Sequence, residues 1–425
     1  MFYLKTFFFI SLTNCLLFCL DIKIQPQVAL NNSALDNVIN HNDISFSIPF
    51  TIFYEVNKNL SIKHSNRLYS LNHPHLKYLY HTKSRGNKTA INEESYIEFK
   101  NKNISFILGR KYVNINNKLM ISDFSNSFDQ LNFNFNKHNF EFNYYIFKMN
   151  NEITTDQNDQ IIYISRWLYY RDYIFNINKK TELTISESVI ATGENRNIDL
   201  YYLTPFGLFL AEQYHNLKRI DGGDSLTLNN DNAFVGLNIK HNINDNLNFN
   251  FSILIDDFQI DIEDRDRYQD VFGYKFGIEI VKNKFNLSIS YNYASPWLYL
   301  NNGTFTNLQQ NNFPIGLKYP HYHSLQTNFE YFDEKMNTSF ILIASEKGKQ
   351  DLNTEWEAEM NGPDDYIPFY EFSDKLPIEL YVKIEPKNSK KYLPNFILYH
   401  NFLNSNNTAF VLEWNLMFNY NINNN

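Results

Sequence analysis

The sequence is short of cysteine. Its 425 residues include two, Cys15 and Cys19, so past the first twenty residues no disulfide, thiolate-bound metal or thiol nucleophile is available. Glycine and proline are also scarce, at 13 and 12. No surplus of positive charge exists: 38 Lys and Arg face 46 Asp and Glu, a net charge of −8. That balance argues against a nucleic-acid partner, because no excess of cations is there to neutralise phosphates. Beyond residue 20 no apolar run approaches the ~20 residues a helix needs to cross a bilayer, which excludes a mature helical membrane protein. Catalytic signatures are missing as well: GxSxG, HExxH, the P-loop and GxGxxG do not occur.

What is present is apolar and aromatic. Hydrophobic residues make up 43% and aromatics 17%, with 38 Phe and 30 Tyr against 4 Trp, which excludes a disordered chain. Asn is in excess beside Phe, Tyr and Ile, as in proteins from AT-rich genomes, so a single Asn carries little functional information. Residues 1–20 combine an early Lys5 with a short apolar core from Phe7 to Leu20 and read as a secretory signal peptide. Residues 21–43 make an N-terminal segment, and strand-like patterning fills residues 44–425.

That patterning has a period of two. Ile44, Phe46, Ile48, Phe50, Ile52 and Tyr54 are apolar, with Ser45, Ser47 and Thr51 between them. The same alternation runs through Leu131–Asn136, Leu247–Ile255, Phe285–Tyr293 and Phe410–Tyr420. Side chains of a strand point to opposite faces in turn, so each segment has one apolar and one polar face. Many segments exceed the ~5–6 residues of a globular strand and match the ~9–11 that cross a bilayer at a tilt. Short turns such as Asn244–Asn246 alternate with long polar connections such as Gln259–Asp270, Asn301–Pro320 and Glu346–Asp374. Short turns at one end and long loops at the other are the pattern of an outer-membrane barrel. A mean hydropathy of −0.44 is compatible with this, since only one face meets lipid. The expected fold is all-β, an antiparallel transmembrane outer-membrane β-barrel of about 14–18 strands. A secreted β-sandwich or β-helix is the competing architecture. Strand length, few glycines and aromatics near segment ends all oppose it. One stretch, Asn66–Tyr80, has helical spacing, broken by Pro74.

Charges inside strand segments, and aromatics beside carboxylates in the connections, are candidates for a ligand site. Asp256 falls on the polar side of the Leu247–Ile255 alternation and should point into the lumen. Arg166 and Arg171 bracket Trp167–Tyr170. Glu187 follows Leu183 and Ile185 on the apolar face, which calls for a rim position or a β-bulge. Trp356 lies among Glu355, Glu357, Glu359, Asp364 and Asp365; carbohydrate sites pair aromatic faces, which stack on sugar rings, with carboxylates that bond hydroxyls. The bland alternatives are a solvated loop for the connections and wall-stiffening ion pairs for the strand charges. His73 and His75, and His321 and His323, form His-x-His pairs, but no third ligand lies nearby. They read as loop or rim residues, and neither a metal nor a cofactor is expected.

Several stretches resemble the capsule-assembly family of the Wzi type. They are Arg166–Tyr170 (RWLYY), Glu187–Arg196 (ESVIATGENR), Leu200–Pro205 (LYYLTP), Glu212 in AEQ, Asp231–Gly236 (DNAFVG) and Leu254–Gln259 (LIDDFQ). Upstream, Gly109–Phe133 resembles the family's strand with a Gly-Arg start, so the resemblance runs from Gly109 to Gly277. The sequence departs from the family where Asn114-Ile115-Asn116-Asn117 replaces a Gly-rich turn. It also lacks the long helical region of larger members, since alternation already begins at Ile44. The resemblance implies a barrel of about 18 strands that binds capsular or other exopolysaccharide at the cell surface, as a lectin and not an enzyme.

Arg166, Arg171, Glu187, Glu194, Arg196, Glu212, Asp231 and Asp256 lie in the resembling stretches. An unpaired charge in a low-dielectric wall is costly, so most of them are expected to gather inside the barrel. With Trp356 they form the expected ligand-binding set. The expected partners are surface polysaccharide and outer-membrane lipid, with the protein a monomer in the outer membrane of a Gram-negative bacterium. A diffusion porin for small solutes is the alternative function. Occlusion of the lumen separates the two.

Overall fold

The computed structural model describes residues 20–24, 27–30, 44–70, 83–85, 88–122, 127–155, 159–204, 207–209, 231–257, 271–300, 306–310, 313–317, 319–334, 336–348, 374–386, 395–401, 408–413 and 418–421. Among these, the regular elements are 24 strands and a 3-10 turn at Tyr201–Leu203, and 17 of the strands have six residues or more. That number lies within the expected range. The chain divides into two compact units, one of Met1–Tyr112, Glu330–Phe340 and Glu379–Asn425, the other of Val113–Phe329 and Ile341–Ile378.

In the first unit Ile44–Asn57 pairs with Leu60–Ser70, which pairs with Lys88–Lys100, which pairs with Ile104–Lys111, all antiparallel. Leu20–Ile24 and Gln27–Leu30 also pair with Ile44–Asn57, so the sheet extends upstream of Ile44. Leu20, the last residue of the signal-peptide reading, begins a strand; residues 1–19 lie outside the described residues. The helical spacing at Asn66–Tyr80 does not give a helix where it is described. Asn66–Ser70 is the end of a strand held on both sides, with a register shift at Ser65/Asn66. Two ladders of backbone hydrogen bonds outweigh a weak local preference.

In the second unit eight long strands run in sequence, each antiparallel to the next: Phe128–Lys137, Phe140–Lys148, Ile161–Asn178, Thr181–Glu194, Asp231–Asn244, Leu247–Asp257, Val271–Lys282 and Phe285–Ala294. Tight turns join them after Lys137, Asn178, Asn244 and Lys282, and long connections join them at the opposite end.

The distribution of side chains is the inverse of that in a water-soluble protein. In the first unit Glu93, Glu94 and Ser65 are buried while Ile97, Phe99 and Leu108 are exposed. Arg67 donates to Glu93 at 2.6 Å and Lys63 pairs with Glu94. In the second unit Asn132, Asp172, Asn238, Ser252 and Asn292 are buried on one face, and Phe276, Ile278 and Ile289 are exposed on the other. Phe251 lies opposite Phe276 and Ile253 opposite Tyr274. The alternation of Leu247–Ile255 therefore stands as expected, with Ser252, Leu254 and Asp256 on the buried side. Apolar outside and polar inside is what a strand between lipid and a polar interior requires.

Candidate functional site

Two chain segments of the second unit, 113–122 and the described residues of the connection after Ala294 (295–300, 306–310, 313–317 and 319–321), lie on the polar face of its sheet. Leu119, Met120 and Ile121 of the first, and Leu298, Tyr299 and Leu300 of the second, pack with Phe147, Leu168, Tyr170, Ile190, Phe234 and Leu254 of the strands in one buried cluster. Asp256 anchors the second segment. Its carboxylate accepts from the Tyr299 N–H at 2.9 Å and from Asn232 Nδ2 at 3.3 Å. The Tyr299 hydroxyl donates to the Leu119 carbonyl at 2.6 Å and accepts from the Leu317 N–H at 2.9 Å, which ties the two segments together. Burial raises the pKa of that hydroxyl above the ordinary phenol range, and the charge of Asp256 adds to the effect.

Trp297 and Tyr299 sit at φ 71° and 75°, a conformation that costs a non-glycine residue roughly 1–3 kcal/mol and persists only where packing imposes it. Asn117 fixes the first segment, donating to the Ile253 carbonyl at 3.1 Å and accepting from the Leu119 N–H at 3.1 Å. Gly236 makes room for it, since a Cβ there would overlap the Asn117 amide. Arg166, fully buried, donates to the Asn307 carbonyl at 2.5 Å, to Glu152 at 3.1 Å and to Asn150 at 3.2 Å.

The other strand charges do not join this group. Arg171 and Glu187 are direct cross-strand partners on the apolar face, between the Tyr169–Val189 and Tyr173–Ile185 pairs of the same face. Arg171 donates to Glu187 through Nε at 2.8 Å and also through Nη2. Its remaining donors reach the carbonyls of Thr204, at 3.2 Å, and Gly207, and Phe209 lies 3.9 Å from the guanidinium with its ring over it. Glu187 is therefore neither at a rim nor at a bulge; its ion partner and a covering segment make its position tenable. Arg196 pairs with Asp231 on this same side and donates to Asp199 at 3.2 Å.

The expectation that most charges gather inside is thus corrected. Arg166 and Asp256 lie on the polar face, while Arg171, Glu187, Arg196 and Asp231 lie on the opposite one, because strand parity puts neighbouring residues on opposite sides. Glu194 is exposed at the end of its strand. Glu212 and Trp356 lie outside the described residues.

Sequence reasoning missed Asn117 and Tyr299. The signal for Tyr299 was the unbroken apolar run Trp297–Leu300 beside Pro296, which a solvated connection does not need. Asn117 carries no such signal. His321 is buried and His323 bonds Tyr291 at 3.1 Å and Glu346 at 3.0 Å, so this pair is not an exposed loop feature. Among the described residues no group of three His, Cys, Asp or Glu is placed to hold a metal ion.

Long antiparallel strands with an apolar outer row, a buried polar row, tight turns at one end and long connections at the other define an outer-membrane β-barrel. One solved structure agrees in fold, and two others are comparable in coverage alone. The Escherichia coli outer-membrane protein Wzi, a carbohydrate-binding β-barrel involved in group 1 capsule assembly, is similar with a TM-score of 0.58 at 11% identity, over 92% of this chain and 84% of that one. Acinetobacter baumannii OccAB4 and Pseudomonas aeruginosa OccD3 give TM-scores of 0.49 and 0.48 at 10% identity, over 93% and 95% of this chain and 96% and 91% of theirs. No family model and no curated protein matches the sequence.

Proposed function

We propose that the chain is a non-catalytic outer-membrane barrel, Wzi-like in role, that binds capsular or other exopolysaccharide at the surface of a Gram-negative cell and aids its assembly or attachment. The observation that carries this reading is the packing of Leu119–Ile121 and of Trp297–Leu300, Leu308 and Ile315 against the polar face of the second unit's sheet. A diffusion pore needs that face open to water; here apolar side chains cover the stretch of it that carries Phe147, Leu168, Tyr170, Ile190, Phe234 and Leu254, and Asp256, Tyr299 and Asn117 lock them down. The likeness of fold to Wzi supports the same reading. Trp356, whose ring can stack on a sugar, and Glu212, whose carboxylate can bond hydroxyls, are the residues assigned to the polymer, and both lie outside the described residues. The chain acts as a monomer and needs no cofactor.

The test is titration of surface polymer from the producing cell into the refolded protein, with planar-bilayer conductance measured in parallel. Binding with small conductance is the expected result, and Trp356→Ala should weaken the binding. Large steady currents without binding would replace this reading with the porin alternative.

A further inference from the structure

The connection after Thr181–Glu194 does something unexpected: residues 196–204 and 207–209 lie on the apolar face of the sheet. Beneath them Tyr169, Val189, Ala191 and Ala233 are buried, packed with Tyr202 and Phe209. The depth reached follows from the register. Asp231, which holds Arg196, lies opposite Ala191, and Val235 lies opposite Glu187. Those rows are four residues apart, and a strand rises about 3.4 Å per residue, so the segment descends on the order of 13 Å from the strand ends toward mid-strand.

We propose that this segment is embedded in the outer leaflet and presents Leu200, Leu203 and Leu208 to lipid acyl chains. This rests on the barrel reading and on the rule that long connections lie at the cell exterior.

Two independent observations carry it. The first is the exposed side of the segment. Leu200 is 77% exposed, Leu208 62% and Leu203 40%, on the same side of the sheet as the exposed strand residues Ile185 and Phe175, with Asn197 and Thr204 the exposed polar residues among them. The second is the fate of its backbone. Irregular chain survives at membrane depth only if protein satisfies its polar groups. Here the Arg196 carbonyl accepts from Trp167 Nε1 at 3.0 Å, the Asp199 N–H donates to the Tyr169 hydroxyl at 2.8 Å, and the Tyr202 carbonyl accepts from the Tyr144 hydroxyl at 2.5 Å. The Thr204 and Gly207 carbonyls accept from Arg171. Within the segment, Asp199 caps the Tyr201 N–H at 2.9 Å, and the Leu203 and Thr204 N–H groups bond back at 3.2 and 3.1 Å. Two tyrosine hydroxyls, one indole N–H and one guanidinium of the sheet thus supply what water supplies to an ordinary surface loop. The Arg171–Glu187 pair is both the latch and the reason a cover is needed, since bare lipid over a charge pair is unfavourable.

The experiment uses the full chain with Cys15→Ser and Cys19→Ser, refolded into vesicles of brominated or ordinary phosphatidylcholine. Leu200→Cys, Leu203→Cys and Leu208→Cys are each labelled with bimane, and Phe251→Cys is the lipid-face control. The expected result is bromine quenching at 200, 203 and 208 comparable with that at 251, and little quenching by aqueous iodide. Iodide quenching at the three leucine positions, with bromine quenching only at 251, would overturn the proposal while leaving the barrel reading intact. Disulfide-linked dimers from unlabelled Leu208→Cys, without bromine quenching, would overturn it in favour of a second copy of the chain. Loss of bromine quenching at 251 as well would remove the barrel reading and this proposal together.

Discussion

Asp256 on one face of the second unit's sheet and Arg171 on the other are both strand charges covered by chain from a connection, yet they are held differently. Asp256 is gripped by the Tyr299 N–H and the Asn232 amide, and through them it positions a segment that covers part of the polar face. Arg171 faces an opposite charge directly across the strand and then takes two backbone carbonyls and an aromatic ring as a lid. The difference follows from the neighbouring medium. A polar face offers amides and hydroxyls to a carboxylate, whereas a face turned to hydrocarbon offers nothing, so a charge there must bring its counterion in the adjacent strand.

The strongest way to break the comparison is to orphan one charge of the pair. Glu187→Ala should cost about 3–5 kcal/mol, the usual penalty for an uncompensated buried charge, and the double change Arg171→Met with Glu187→Met should recover part of it, the remainder being the Thr204 and Gly207 carbonyls left without their donor. Urea unfolding of the barrel in vesicles measures both. If the single and double variants are equally destabilised, the pair is not what holds the segment down.

The assignment of faces is tested next. Phe251→Arg should cost about 2–4 kcal/mol on a lipid-facing row near mid-bilayer, and Asn248→Arg, on the polar row near the tight turn, should cost less in the same titration. The reverse order would place the register one residue off.

The two faces should also differ in conductance. Asp256→Ala releases the segment that carries Tyr299 and should raise the planar-bilayer current, while Arg196→Ala, on the opposite face, should leave it unchanged. Tyr299→Phe removes a hydroxyl that serves two buried backbone groups and should cost roughly 1–3 kcal/mol.

The smallest effect is on pH dependence. The Tyr299 hydroxyl titrates higher in the folded chain than in the unfolded one, so the folded state binds more protons at alkaline pH and its stability falls there. The stability difference between the unmodified chain and Tyr299→Phe should hold steady up to the ordinary phenol pKa of about 10 and shrink above it. Unfolding midpoints on either side of that pH supply the measurement.

The fold was legible because period-two patterning is a local property. The alternation of Leu247–Ile255 determines which residues share a face before any partner strand is known. Strand length and the contrast of tight turns with long connections carried the step from sheet to membrane barrel. The candidate site was legible only in part. Parity placed Asp256 correctly and flagged Glu187 as anomalous. It could not show that Glu187 faces Arg171, because that pairing depends on the register of two strands joined at a turn and on the residues that cover them. Asn117 was invisible in a chain rich in Asn, since its role comes from contacts with Ile253 and with the space left by Gly236.

The sequence by itself determined that this protein is all-β and that one face of each strand is apolar. Only the tertiary structure decided where the connections go. One pair of segments packs onto the polar face and another segment onto the apolar one. The physical reason is that strand periodicity is written in residues two apart, whereas the docking of an irregular segment is settled by hydrogen bonds and side-chain packing across long separations. The Tyr299 hydroxyl meets the Leu119 carbonyl across 180 residues, and no local pattern encodes a contact of that reach.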